Sequence, residues 1–134
     1  MTMKKTILCI DDEQSVSIHK LMLETRGYRV LSCNTAVAAL EVFQNGGADM
    51  VLSNVQLADG TAVHMVESIR ALRPEVPIIL LSARAFHTDA PVNLLLRKGS
   101  YTPAELLERI RVLLVKHRGP RRALPVQDSS SKAC

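Results

Sequence analysis

Five short apolar runs recur along this chain, and the stretches between most of them carry helical spacing. The runs are TILCI (6–10), YRVLSC (28–33), MVLS (50–53), IILLS (78–82) and VNLLL (92–96). A strand that is apolar on both faces has to be covered on both faces. The alternation therefore specifies an α/β fold, a doubly wound five-stranded parallel sheet flanked by helices. At 134 residues one domain is expected, large enough to bury a core without disulfide or metal staples.

The helical stretches carry their own punctuation. Residues 13–26 place Val16, His19 or Lys20, Met22 and Leu23 near helical spacing, with Gly27 as a stop. Asn34 or Thr35 is positioned to cap a helix over 36–44, with Val37, Leu40 and Phe43 on one face and NGG (45–47) ending it. Residues 61–72 carry Val63, Val66, Ile69 and Leu72 at spacing three, and Pro74 closes that helix. In TPAELLERIRVLLVKH, Thr102 is the N-cap, Pro103 the first helical residue and Glu105 the return arm of a capping box. Leu106, Ile110, Leu113 and Leu114 form the buried stripe of this last helix.

One connection is too short. Only ARAFHTDAP (83–91) separates the fourth run from the fifth, whereas a helical crossover between parallel strands takes about a dozen residues. The fourth helix is therefore expected to be missing or reduced to a loop. The apolar surface this leaves, with Leu94, Leu96 and the last helix, predicts a homodimer.

Charge and composition exclude several classes. No apolar run reaches the ~18 residues of a membrane span, and TILCI is too short for the apolar core of a signal peptide. The expected location is cytoplasmic, without a membrane partner. Residues 1–115 carry 12 Lys or Arg against 12 Asp or Glu, whereas residues 116–134 carry 5 against 1. The net charge of +4 therefore belongs to residues 116–134, most of them a basic, flexible tail over 118–134, beyond a domain spanning 1–117. With only Tyr28, Tyr101, Phe43 and Phe86 as aromatics and no helix with a basic face, nucleic acid is not an expected partner. Cys9 and Cys33 read as buried thiols and Cys134 as exposed. The histidines at 19, 64, 87 and 117 have no metal-ligand spacing.

In an open α/β sheet, ligands bind beyond the carboxyl ends of the strands. Those ends supply Asp11 and Asp12, Asn54, Ser82 and, just past the fifth run, Lys98. The first turn, IDDEQS, lacks the glycines of a phosphate cradle. Its adjacent carboxylates repel phosphate and suit magnesium, which takes one or two carboxylates plus waters. A helix start would explain one of these acids well and three in a row poorly.

These motifs together resemble the receiver domain of two-component response regulators, the CheY-like family. ILCIDDEQ matches the first strand and acidic pair, ADMVLSNVQLADGTAVHMVESIR the third strand and third helix, PIILLSA the fourth strand, and LLLRKGSYTPAELLERI the fifth strand, lysine and last helix. The resemblance covers residues 5–116 and implies a CheY/flavodoxin-like strand order of 2-1-3-4-5. It places Asp11 and Asp12 as metal-binding residues, with the Gln56 backbone carbonyl as a further metal contact. Ser82 becomes the hydroxyl that senses a phosphoryl group and Lys98 its charge partner. Asn54 falls where the family carries the aspartate that accepts phosphate. An acyl phosphate needs a carboxylate oxygen as nucleophile, and a carboxamide oxygen cannot form one.

The resemblance thus implies a phosphorelay signalling module rather than an enzyme, a degenerate receiver that acts through protein–protein contacts without being phosphorylated. The implied partner is a histidine kinase or another signalling protein, and magnesium affinity is expected to be weakened. Asn54 is left free to bond Lys98 or Ser82 through its amide oxygen. A second reading keeps a working switch in which another acid, Asp12 or Asp59, takes the phosphate. KGSY (98–101) also departs from the family, which usually has a proline after the lysine.

Overall fold

The computed structural model describes residues 4–116; the basic segment 118–134 lies outside the described residues. Five strands, β1 (Thr6–Ile10), β2 (Arg29–Cys33), β3 (Met50–Asn54), β4 (Ile78–Ser82) and β5 (Leu94–Arg97), form one parallel sheet. Their spatial order is β2-β1-β3-β4-β5, the doubly wound order expected. The helices are α1 (Glu13–Glu24), α2 (Ala36–Asn45), α3 (Val63–Leu72) and α4 (Pro103–Lys116). A two-residue hairpin, Gln56–Leu57 against Gly60–Thr61, follows β3.

Alternate residues of the central strands feed two cores. Leu8, Ile10, Val51, Ile78 and Leu80 pack with Ala39 and Phe43 of α2 and Met65, Val66 and Ile69 of α3. Ile7, Cys9, Met50, Leu52, Ile79 and Leu81 pack with Leu23 of α1 and Leu106, Leu107, Ile110 and Leu114 of α4. All five β4 residues are buried, as a strand covered on both sides requires.

The helix ends follow the sequence signals. Thr35 caps α2 by accepting from Ala38 N at 3.1 Å. Thr102 and Glu105 close a reciprocal capping box at 3.1 and 2.8 Å. Gly27, at φ +88°, ends the turn after α1 in a conformation that costs glycine little. Two stripe residues are corrected: Val37 is 72% exposed and Leu72 49%. Both sit in terminal turns, where a spacing-three pattern drifts off the buried face of a 3.6-residue helix. β5 begins two residues later than VNLLL suggested.

Residues 83–93 form no helix, as the short connection predicted. Phe86, Ala90 and Val92 from this segment pack on the α2/α3-side core together with Leu95. Arg70 of α3 holds the segment down. Its guanidinium donates to the Pro91 carbonyl at 3.1 and 2.9 Å, to the Pro74 carbonyl at 2.8 Å, to Asn93 Oδ1 at 3.1 Å and to the Val76 carbonyl at 2.5 Å. Asn93 Oδ1 also accepts from Ile78 N at 2.8 Å, tying the segment to the start of β4. The predicted open face is corrected accordingly. Leu94 and Leu96 pack into the α1/α4-side core, and the side the absent helix would cover is occupied by the segment's own side chains.

Candidate functional site

The carboxyl ends of β1, β3 and β4, with the turn after β5, bring the predicted residues to one edge of the sheet. Asp11 follows β1 directly and is 2% exposed. Its Oδ1 accepts from Asp12 N at 2.7 Å, and its Oδ2 pairs with Lys98 Nζ at 3.0 Å across 87 residues of sequence. The Asn34 side chain, a candidate cap in the sequence, instead donates to the Asp11 carbonyl at 2.9 Å and anchors the same turn.

Asp12 points the other way. Its Oδ1 caps α1 by accepting from Ser15 N at 2.8 Å. That backbone bond leads the influences that pull its carboxyl pKa below the ordinary 3.8. Asp59 is similarly occupied. Its two oxygens accept from Ala36 N at 2.9 Å and Val37 N at 3.1 Å, which lowers its pKa and clamps the hairpin to the start of α2. On α1, His19 is half-buried. Burial pushes its imidazole pKa down, against the upward pull of Asp11.

Asn54 ends β3 with its side chain folded back on the next turn. Nδ2 donates to the Gln56 carbonyl at 2.7 Å. Its Oδ1 is buried and has no hydrogen-bond partner among the described residues. The expected bond from this oxygen to Lys98 or Ser82 is therefore corrected. Lys98 is committed to the anionic Asp11, a stronger acceptor than a neutral amide. The Ser82 hydroxyl donates to the Arg84 carbonyl at 2.6 Å and accepts from Arg84 N at 3.2 Å.

The site is thus divided. Asn54, Gln56, Ser82, Arg84 and Phe86 line a cleft of about 380 Å³, whereas Asp11, Asp12 and Lys98 are not among its walls. Among the described residues, no group of three or more His, Cys, Asp or Glu converges on a metal position. The oxygens the resemblance assigned to a metal are already accepting bonds: Asp11 from Lys98, Asp12 from Ser15, and the Gln56 carbonyl from Asn54. An ion arriving here would compete with these donors for the same groups, while Asp12 Oδ2 has only the Ser15 hydroxyl near it, at 3.4 Å.

A doubly wound parallel sheet with an acidic pair, a hydroxyl and a lysine at its carboxyl edge defines a class of α/β protein built around a switch-point site. The family model described as the response regulator receiver domain matches residues 7–99, and this chain belongs to that family. The chain is 30% identical over 115 residues to the sensory transduction protein RegX3 of Mycobacterium tuberculosis, covering 81% of this chain and 50% of that protein. It is 28% identical over 117 residues to the transcriptional regulatory protein CpxR of Escherichia coli, covering 84% of this chain and 50% of that one. The chain spans about half the length of the curated relatives it matches.

Among solved structures, a CheY-like receiver domain protein from Methanospirillum hungatei superposes with a TM-score of 0.79 at 26% identity, covering 86% of this chain and 97% of that one. The receiver domain of the sensor histidine kinase PA1611 from Pseudomonas aeruginosa superposes with a TM-score of 0.75 at 25% identity, covering 84% and 99%. The PA1611 receiver carries a magnesium ion coordinated in its active-site cleft.

Asp11, Asp12, Asn54, Gln56, Ser82 and Lys98 were legible in the sequence as residues of this edge, but their pairings were not, nor was the Asn34 contact to Asp11. Arg84 was missed altogether, because its contribution to the Ser82 hydroxyl is made by backbone atoms, which any residue type carries.

Proposed function

We propose that this receiver domain signals as a protein-interaction module without phosphorylation at Asn54. The observation that carries the reading is the carboxamide at the end of β3, whose nitrogen bonds the Gln56 carbonyl. An acyl phosphate forms when an anionic carboxylate oxygen attacks phosphorus, and a carboxamide oxygen lacks that reactivity. A second support comes from the β4–β5 segment, where no helix is present and Arg70 bonds the chain in place. The partner is a histidine kinase or another signalling protein, and pairing with a second copy belongs to the same proposal. For that pairing the last helix offers Val112, 38% exposed, and Val115, 55% exposed, and α1 offers the more exposed Ile18 and Leu21. Magnesium, if bound, would supply charge neutralisation at the acidic pair. In this chain Lys98 already holds a positive charge on Asp11, so affinity for the ion is reduced.

The test is incubation of the full chain with magnesium and a small acyl phosphate donor, followed by intact-mass measurement. No mass gain is expected. A stable phosphoryl adduct overturns the reading, and peptide mapping would then locate it. Of the alternative acceptors, Asp59 has both oxygens held by backbone N–H groups at the start of α2, and Asp12 has one oxygen held by Ser15 N at the start of α1, which weighs against either as nucleophile.

A further inference from the structure

We infer that Lys98 is the resident cation of this site, and that with Asn54 it closes the acidic edge to divalent metal from inside the chain. The inference goes beyond the proposed function, because a receiver without an acceptor carboxylate can still hold an ion. Three oxygen sources border the edge: Asp11, Asp12 and the Gln56 carbonyl. A tethered ammonium sits on the first at 3.0 Å and a tethered amide nitrogen on the third at 2.7 Å. Asp11 is buried, its side chain 3% exposed against 29% for Lys98. A carboxylate that deep requires a positive partner. Lys98 supplies it without the cost of stripping water from a magnesium ion, which dehydrates reluctantly.

The Asn54 amide reinforces the closure. A metal approaching the Gln56 carbonyl would have to displace the Nδ2 donor, which then needs a new acceptor. Asn54 Oδ1, buried without a hydrogen-bond partner among the described residues, is an acceptor of the kind that costs stability when left unpaired. The same oxygen is one that Lys98 would be free to seek if it were driven off Asp11. An ion bound by both Asp11 and the Gln56 carbonyl would therefore compete with two tethered donors, Lys98 and the Asn54 amide. The closure adds that competition to the loss of charge.

The experiment titrates Mn²⁺ alone into the full-length chain by calorimetry, for the wild type, Lys98→Gln and the double variant Lys98→Gln/Asn54→Asp. Affinity should rise from the wild type through the single to the double variant, by on the order of tenfold for each added net negative charge. Equal affinity of the wild type and Lys98→Gln overturns the role of Lys98. Removing Lys98 leaves Asp11 unpaired and can cost the fold, so the wild type supplies an independent readout. Backbone amide NMR signals of Asp12, Asn54 and Gln56 should show no saturable shift on adding Mg²⁺. Saturable shifts at these amides overturn the closure. If they occur with no phosphoryl adduct in the acyl phosphate assay, only this inference falls and the proposed function stands.

Discussion

Asn54 and Lys98 occupy the same edge with opposite energetic consequences. Asn54 contributes one hydrogen bond to Gln56 and buries one unpartnered oxygen. A bond is worth about 1 kcal/mol and an orphaned acceptor costs about 1–3 kcal/mol, so Asn54→Ala should leave stability within about 1 kcal/mol of the wild type. Lys98→Gln instead strands the buried Asp11 carboxylate. Breaking a buried ion pair costs about 3–5 kcal/mol. Because Lys98 is 29% exposed, about 2–4 kcal/mol is expected from urea unfolding. A smaller loss for Lys98→Gln than for Asn54→Ala would contradict the assignment of Lys98 as the charge that holds Asp11.

Asp12 gives a pH signature. Its pKa is lowered on folding, chiefly by the Ser15 N–H. Its contribution is therefore complete above the ordinary value of 3.8 and is lost as pH falls through the lower folded value. Asp12→Ala should reduce Tm at neutral pH and have little further effect once the wild-type carboxyl is protonated. A Tm difference of constant size down to strongly acid pH would mean that the cap does not act through charge. These residues were legible because each follows an apolar run at a strand end. Their pairings were not legible. Asp11 and Lys98 lie 87 residues apart, and no local pattern states that a lysine will choose an aspartate over an asparagine.

At the scale of elements, the missing helix was readable by arithmetic: too few residues join β4 to β5 for a crossover. What replaces it was not readable. Arg70 sits in α3, 21 residues before Pro91, and its role depends on where the backbone carbonyls of Pro74, Val76 and Pro91 turn. Burial lowers the pKa of its guanidinium, with Glu75 pulling it back up. Charged donors to several carbonyls contribute about 1.5–3 kcal/mol each at most, and these bonds share one side chain. Arg70→Met should cost about 2–4 kcal/mol and raise hydrogen exchange at Asn93 and Ile78 before the rest of the sheet. Uniform loss of protection across all strands would show that the clamp is not local. The misplaced Val37 and Leu72 show a different limit. The existence of a helix follows from its period, but the phase at its first and last turns depends on what packs there.

At the scale of the molecule, the two cores separate the two buried cysteines. Cys9 belongs to the α1/α4 side and Cys33 to the α2/α3 side. Burial, aided by Asp11, pushes the Cys9 thiol up to about 12. A thiol so protonated is a poor nucleophile, so alkylation of Cys9 at neutral pH should track global unfolding. The strand order was legible through the resemblance, and the hydrophobic runs alone settled the parallel sheet. The exposed apolar residues Val112 and Val115 were not legible, because they carry no periodic signal of their own.

β5 has a neighbour on one side only and is four residues long. Its outer rim offers unpaired main-chain groups beside three successive leucines, a template on which foreign strands can nucleate. The strand ends on Arg97, which is exposed, a charge of the kind that opposes such growth. Arg97→Leu should leave the melting temperature nearly unchanged yet scatter light at concentrations where the native chain stays clear. Shortness and one well-placed charge would thus guard this edge of the sheet against fibrous assembly.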